Sequence, residues 1–168
     1  MNYKDVIRCF LLLCCIFPLI VYGATEQRLP DVSLPDITGK TYSLRDGWKN
    51  HMLLVNFWAT WCAPCRKEMP ELSGLQNEYK DRGLRIIGIA IDDKKSIQTY
   101  LQKYPVNYPI LVAPDVGTLL SAEMGNRMGV LPFSVFVDRN GMIEFTHTGL
   151  VSRDLVTGWM KDQSADKR

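Results

Sequence analysis

The sequence predicts an α/β fold with helices on both faces of a central mixed β-sheet, and three observations carry that expectation. Two runs, Met52–Phe57 and Arg85–Ile91, are almost continuously apolar rather than alternating, the pattern of strands buried on both faces. Segments with apolar residues at i, i+3 and i+4 fall between and after these runs, and alternating β and α units build a sheet sandwiched by helices. Near the end, Asn140-Gly141 separates two further apolar runs, the strongest short-range hairpin signal, so the last strands join antiparallel.

Taken in order, Thr25–Leu29 reads as a flexible lead-in. Asp31–Leu44 reads as short extended pieces around the turn Ile37-Thr38-Gly39-Lys40, an N-terminal hairpin extension. After the strand Met52–Phe57, a helix is predicted over Ala63–Tyr79, with Met69, Leu72, Leu75, Gln76 and Tyr79 on one face and Gly83 ending it. The strand Arg85–Ile91 follows. The charged residues Asp92-Asp93 and Lys94-Lys95 read as a solvated loop, and a helix over Ser96–Lys103 takes Ser96 as its N-cap. Tyr108–Val112 is a short strand and Gly117–Met128 a helix. Ser134–Val137 and Ile143–Thr148 form the hairpin around Asp138-Arg139-Asn140-Gly141, and Ser152–Asp162 is a closing helix.

The N-terminus is of another kind. Lys4 and Arg8 precede a run of about 14 apolar residues, Cys9–Tyr22, which is short of the about 20 that span a bilayer. Val21-Tyr22-Gly23 then offers small residues for cleavage after Gly23. Residues 1–23 are therefore read as a secretory signal peptide, with an uncleaved anchor as the alternative, and 24–168 as one domain. Cys14 and Cys15 lack the small preceding residue of a lipoprotein site. A formal charge of +2 gives no strong field for nucleic acid or an anionic membrane. Nothing in the sequence suggests more than a monomer.

Of the five cysteines, Cys9, Cys14 and Cys15 lie in the expected signal peptide, which leaves Cys62 and Cys65 as a lone C-x-x-C in the mature chain. That is no multi-bridge framework, and at most half a zinc site, because His51 and His147 have no ligand spacing to it. A structural staple closing so small a loop would stabilise little. The pair is read as redox-active, with no metal and no cofactor. Cys62 falls where a helix begins, and unpaired N–H groups and the positive end of the macrodipole favour its thiolate. Cys65, one turn on and more buried, can attack a mixed disulfide on Cys62 and release the partner. Pro64 suits a first helical turn. Trp58 and Trp61 are expected to cover the sulfurs, against ordinary core packing.

The run Asn56-Phe57-Trp58-Ala59-Thr60-Trp61-Cys62-Ala63-Pro64-Cys65-Arg66-Lys67-Glu68-Met69-Pro70 resembles the active-site segment of the thioredoxin superfamily, and most closely its TlpA-like branch of exported reductases, the ResA and CcmG type. The resemblance covers roughly residues 34–160. It implies a thioredoxin-like three-layer α/β/α sandwich with a central mixed sheet, an N-terminal β-hairpin extension and a central α/β insertion, here within Tyr104–Met128. It implies a protein disulfide oxidoreductase, most simply a periplasmic reductase acting on oxidised protein substrates in cytochrome c maturation and re-reduced by a membrane electron donor. Pro70 corresponds to the proline that kinks the active-site helix. Leu131-Pro132 corresponds to the cis-proline loop, where substrate is expected to pair. Trp61, Ala63, Pro64, Leu131 and Pro132 are thus the expected substrate-binding residues.

Departures from the family pattern set the open questions. The buried aspartate that thioredoxin carries six residues before its first cysteine is Asn56 here, which cannot ionise, and its neighbouring lysine corresponds to Gly88. Glu68, matching an acid that several TlpA-like reductases carry three residues after the second cysteine, is the candidate to move the proton of Cys65; the alternative is a solvated helix residue. Phe133 replaces a threonine and is expected to reshape the substrate groove. A net oxidant or isomerase of the same fold stays open. A peroxidase is disfavoured because Val55 and Ala59 stand where peroxiredoxins need proline and threonine. A redox-inert binding module is disfavoured by the intact cysteines and Pro132.

Overall fold

The two apolar runs form the middle of one five-stranded sheet. The computed structural model describes residues 27–165, so the expected signal peptide, residues 1–23, lies outside the described residues. In chain order the elements are β1 (Ser33–Pro35), β2 (Thr41–Ser43), β3 (Met52–Trp58), α1 (Ala63–Tyr79), β4 (Leu84–Ala90), α2 (Lys94–Lys103), β5 (Ile110–Val112), α3 (Gly117–Glu123), β6 (Phe133–Val137), β7 (Ile143–Thr148) and α4 (Arg153–Ala165). The sheet order is β5-β4-β3-β6-β7. β3, β4 and β5 run parallel, whereas β6 is antiparallel to β3 and to β7, so the sheet is mixed. β1 and β2 pair separately as the N-terminal hairpin, whose turn is closed by Asp36 Oδ1 accepting from the backbone N–H groups of Thr38, Gly39 and Lys40.

Every residue of β3 is buried, because alternate residues face two different cores. Leu54 and Trp58 point to the layer holding α1, α2 and α4, with Leu72, Leu75, Ile97, Val156 and Trp159. Leu53, Val55 and Phe57 point to the opposite layer, where α3 supplies Leu120, its C-cap supplies Met124, and the N-terminal segment supplies Leu29, Leu34 and Leu44. The α4 helix is fixed to α1 by that apolar contact and by Arg153, which pairs with Glu71 at 2.9 Å and with Glu78. Those ion pairs are half exposed and screened by solvent, so apolar burial dominates and the charges set orientation.

Several boundaries differ from the sequence reading, each for a local reason. Gln27–Leu29 is not a loose lead-in: Leu29 N donates to Gly141 O and Ile143 N to Gln27 O, and Leu29 is buried. α2 starts at Lys94 because Asp93, not Ser96, is its N-cap; Asp93 Oδ1 accepts from Ser96 N. β5 starts at Ile110 because Pro109 has no N–H to pair. α3 stops at Glu123, short of Met128, where Gly125 takes φ +110° and Asn126 turns its side chain onto the backbone of Val130.

Gly88 lies directly opposite Asn56 in the β3–β4 ladder. A Cβ there would sit 2.5 Å from Ile110 Cδ1 and 3.1 Å from Trp58 Nε1. Gly88→Ala should therefore overpack the core layer beneath α1 and lower stability by roughly 1–3 kcal/mol. Urea unfolding checks this; a variant as stable as the parent would show that Ile110 and Trp58 yield freely.

Candidate active site

The site forms where β3 ends at the sheet's C-terminal edge. Ala59, Thr60 and Trp61 make the connection to α1. It is held by Cys62 N donating to Ala59 O at 3.1 Å and by Thr60, whose N–H and hydroxyl both donate to Asp92 Oδ2. Asp92 thus ties the loop after β4 to the active-site loop, and Asp93 caps α2. The charged quartet 92–95 is therefore solvated, as expected for Asp93, Lys94 and Lys95, but ordered: Asp92 holds the active-site loop and Lys94-Lys95 begin α2.

Cys62 is the N-cap of α1, and its Sγ accepts from Cys65 N at 3.2 Å. Cys62 and Cys65 form a disulfide with their Cα atoms 5.3 Å apart. On reduction, the same N–H group and helix terminus face the Cys62 sulfur, which stabilises a thiolate there. Cys65 is fully buried and Cys62 keeps 5% exposure, so Cys62 is the sulfur that solvent and a partner can approach. Pro64 occupies the first turn, where its missing N–H costs nothing, and Pro70 lies inside the helix.

Glu68 is 3% exposed, so it is a buried carboxyl and not a solvated helix residue. Its Oε1 accepts from Asn56 Nδ2 at 2.7 Å and its Oε2 from Val151 N at 2.9 Å. Asn56 Nδ2 also donates to Ser134 Oγ at 3.0 Å, while Asn56 Oδ1 has no partner among the described residues. Loss of hydration pushes the Glu68 carboxyl above the ordinary carboxylate value; the two donors, and His147 nearby, pull more weakly the other way. The same burial, with the Glu68 charge, raises the Tyr108 phenol, which stays protonated at neutral pH.

Strand pairing explains this cluster. Gly88, Asn56, Ser134 and His147 form one row across β4, β3, β6 and β7 on the α1 side of the sheet. Sequence reasoning singled out Asn56, Gly88 and Glu68 but missed Ser134, His147, Tyr108 and the backbone of Val151. The only signal for Ser134 was a polar residue in an otherwise apolar strand. Nothing local pointed to Val151, which is 83 residues from Glu68. His147 Nε2 bonds Leu150 O at 3.0 Å, which steadies the loop that presents Val151.

The residues expected to bind substrate surround the disulfide unequally. Trp61 is 69% exposed, and Ala63 and Pro64 are exposed beside it. Trp58 is fully buried in the core cluster that includes both cysteines, packed against Tyr100. Leu131 is half-buried and Pro132 buried, and the Leu131–Pro132 peptide is cis. Phe133 turns into the opposite core, against Phe57, and so does not shape the groove. Among the described residues, no group of three or more His, Cys, Asp or Glu is arranged to hold a metal.

Comparison with known proteins bears on this geometry. A family model described as the AhpC/TSA family matches residues 25–146. Thioredoxin-like protein YneN of Bacillus subtilis (strain 168) is 34% identical over 131 residues, covering 76% of this chain and 73% of the relative. Thiol-disulfide oxidoreductase ResA of Bacillus thuringiensis (strain Al Hakam) is 30% identical over 136 residues, covering 80% and 76%. Among solved structures, a thiol:disulfide interchange protein of the thioredoxin family from Chlorobium tepidum TLS superposes with a TM-score of 0.72 at 26% identity, covering 84% of this chain and 98% of that one.

Proposed function

Because the chain belongs to the AhpC/TSA family and is a thiol–disulfide oxidoreductase of thioredoxin-like fold, we propose that it is an exported disulfide reductase of protein substrates, with residues 1–23 directing export and 24–168 forming the working domain. The observation that carries this reading is the asymmetry of the pair. Cys62 caps the helix and keeps a path to solvent, while Cys65 is sealed in beside a buried carboxyl.

In the reduced protein the Cys62 thiolate attacks one sulfur of a substrate disulfide. A Cys62–substrate disulfide forms and the substrate's other sulfur leaves as thiolate. Cys65 then gives its proton to the Glu68 carboxylate, attacks the Cys62 sulfur, and expels the second substrate sulfur as thiolate. The protein ends as the Cys62–Cys65 disulfide and the substrate as a dithiol. Glu68 suits the proton because it is one turn from Cys65 and its raised affinity for protons brings it nearer to neutrality. Once protonated it has a new donor, beside an Asn56 amide whose oxygen lacks a partner among the described residues. Trp61, Ala63, Pro64, Leu131 and Pro132 line the face on which an extended substrate segment would lie.

Re-reduction calls for a dithiol donor in the membrane, and apocytochrome c or its handling factors are the substrates that the TlpA-like resemblance favours. The reduction potential of the Cys62–Cys65 couple tests the direction. A value near the about −270 mV of thioredoxin is expected; one near the about −120 mV of strong disulfide oxidants would overturn the reductase reading.

A further inference from the structure

A groove runs between α1 and the C-terminal end of α2. Its larger compartment encloses about 750 Å³ and is shared with a second, more open one that reaches Thr60 in the active-site loop. Arg66, the residue after Cys65, and Lys103 of α2 line both compartments, and Lys95 lines the second. All three are exposed, and none forms an ion pair among the described residues. No Asp or Glu lines either compartment. Asp92 accepts hydrogen bonds from Thr60, and Asp93 caps α2 and also attracts Lys95, so it offsets part of that charge. The floor is aromatic: Tyr100 packs on the buried Trp58, and Tyr104, half exposed, packs on Tyr100 with Lys103 over its ring at 5.2 Å.

Arg66 and Lys103, with Lys95 partly offset by Asp93, stand around an aromatic floor that continues to Thr60 of the active-site loop, and form a complement to negative charge carried on an extended chain. We propose that this groove docks an acidic segment flanking the reacting cysteine of the partner protein. The proposal rests on the disulfide-exchange reading above. It adds that the protein chooses partners by charge on the α2 side, while Cys62 forms its bond to the partner's sulfur and the partner's other sulfur leaves as thiolate. Charges of this kind act mainly on the rate of productive encounter and are weakened by salt.

The test uses the reduced full chain and four disulfides: bis(2-hydroxyethyl) disulfide, and one peptide disulfide whose cysteine is flanked by Glu, by Gln or by Lys. The readout is each peptide's second-order rate constant divided by that of the small disulfide. The Glu peptide should exceed the Gln peptide about tenfold at low salt, and the advantage should shrink as salt is raised. Lys103→Glu should reduce that advantage severalfold and raise the Lys peptide's ratio. Lys161→Glu, the same charge change at an exposed position on α4, should leave the preference intact. Equal ratios for Glu and Gln peptides, or an equal loss in Lys103→Glu and Lys161→Glu, would overturn the docking site while leaving disulfide exchange standing. Failure to exchange any of the four disulfides would overturn the redox reading and this proposal with it.

Discussion

Replacing Cys62 by Ser should reduce disulfide exchange to the uncatalysed rate, whereas replacing Cys65 by Ser should leave a protein that accumulates mixed disulfides. The asymmetry follows from position. Cys62 has the helix N-terminus to stabilise its thiolate and the residual exposure to meet a partner. A serine hydroxyl there is never ionised at neutral pH, so the first bond does not form. Cys65 is fully buried, and in the proposed cycle it resolves what Cys62 has begun. With Ser at 65 the first attack proceeds and the second cannot, so the Cys62–substrate disulfide persists until an external thiol removes it. Non-reducing electrophoresis and mass spectrometry read both outcomes. Mixed disulfides on Cys62→Ser rather than Cys65→Ser would reverse the assignment of attacker and resolver.

Glu68→Gln should slow the resolving step by roughly 10²-fold at neutral pH, at the low end of what a positioned general base contributes. It should also flatten the step's pH dependence where Glu68 titrates. The first attack should be affected far less, so the mixed disulfide becomes visible in stopped-flow reactions of the variant. The same substitution has a signature in stability. Burial raises the Glu68 carboxyl above its ordinary value of 4.5. In the window that starts there, the folded chain keeps a proton that the unfolded chain has lost. The folded state then binds more protons, and unfolding free energy falls as pH rises through the window, by at most about 1.4 kcal/mol per pH unit. Stability from this group is complete below the unfolded value and gone above the folded one. Asp36 and Asp93, held below their ordinary value of 3.8 by hydrogen bonds, act with the opposite sign and at lower pH. Urea unfolding of both proteins from pH 4 to 8 separates the two effects; identical pH slopes would return Glu68 to a structural role.

The elements that the sequence placed well are those fixed by short-range patterns. Met52–Trp58 and Leu84–Ala90 were legible because a strand buried on both faces has no polar alternation to interrupt it. The span of α1 was legible to the residue because Pro64 marks its first turn and the spacing of Met69, Leu72, Leu75 and Tyr79 carries it to its end. The elements misjudged were bounded by single side chains with two roles open to them. Ser96 and Asp93 are both capable N-caps, and the structure uses the aspartate as cap and the serine as its donor. Asn126 could have continued α3 but folds back on Val130, which ends the helix early.

By itself the sequence determined the cysteine pair and the α/β class and gave an expected order of attack, because each rests on neighbours within a few residues: a cap, a turn of helix, an apolar run. Whether Glu68 is a surface charge or a buried acid could not be decided that way. That depended on Asn56 and Ser134 meeting it across two strands and on Val151 arriving from 83 residues away. Burial of a carboxyl is a property of what closes over it, and only the tertiary structure supplies the lid.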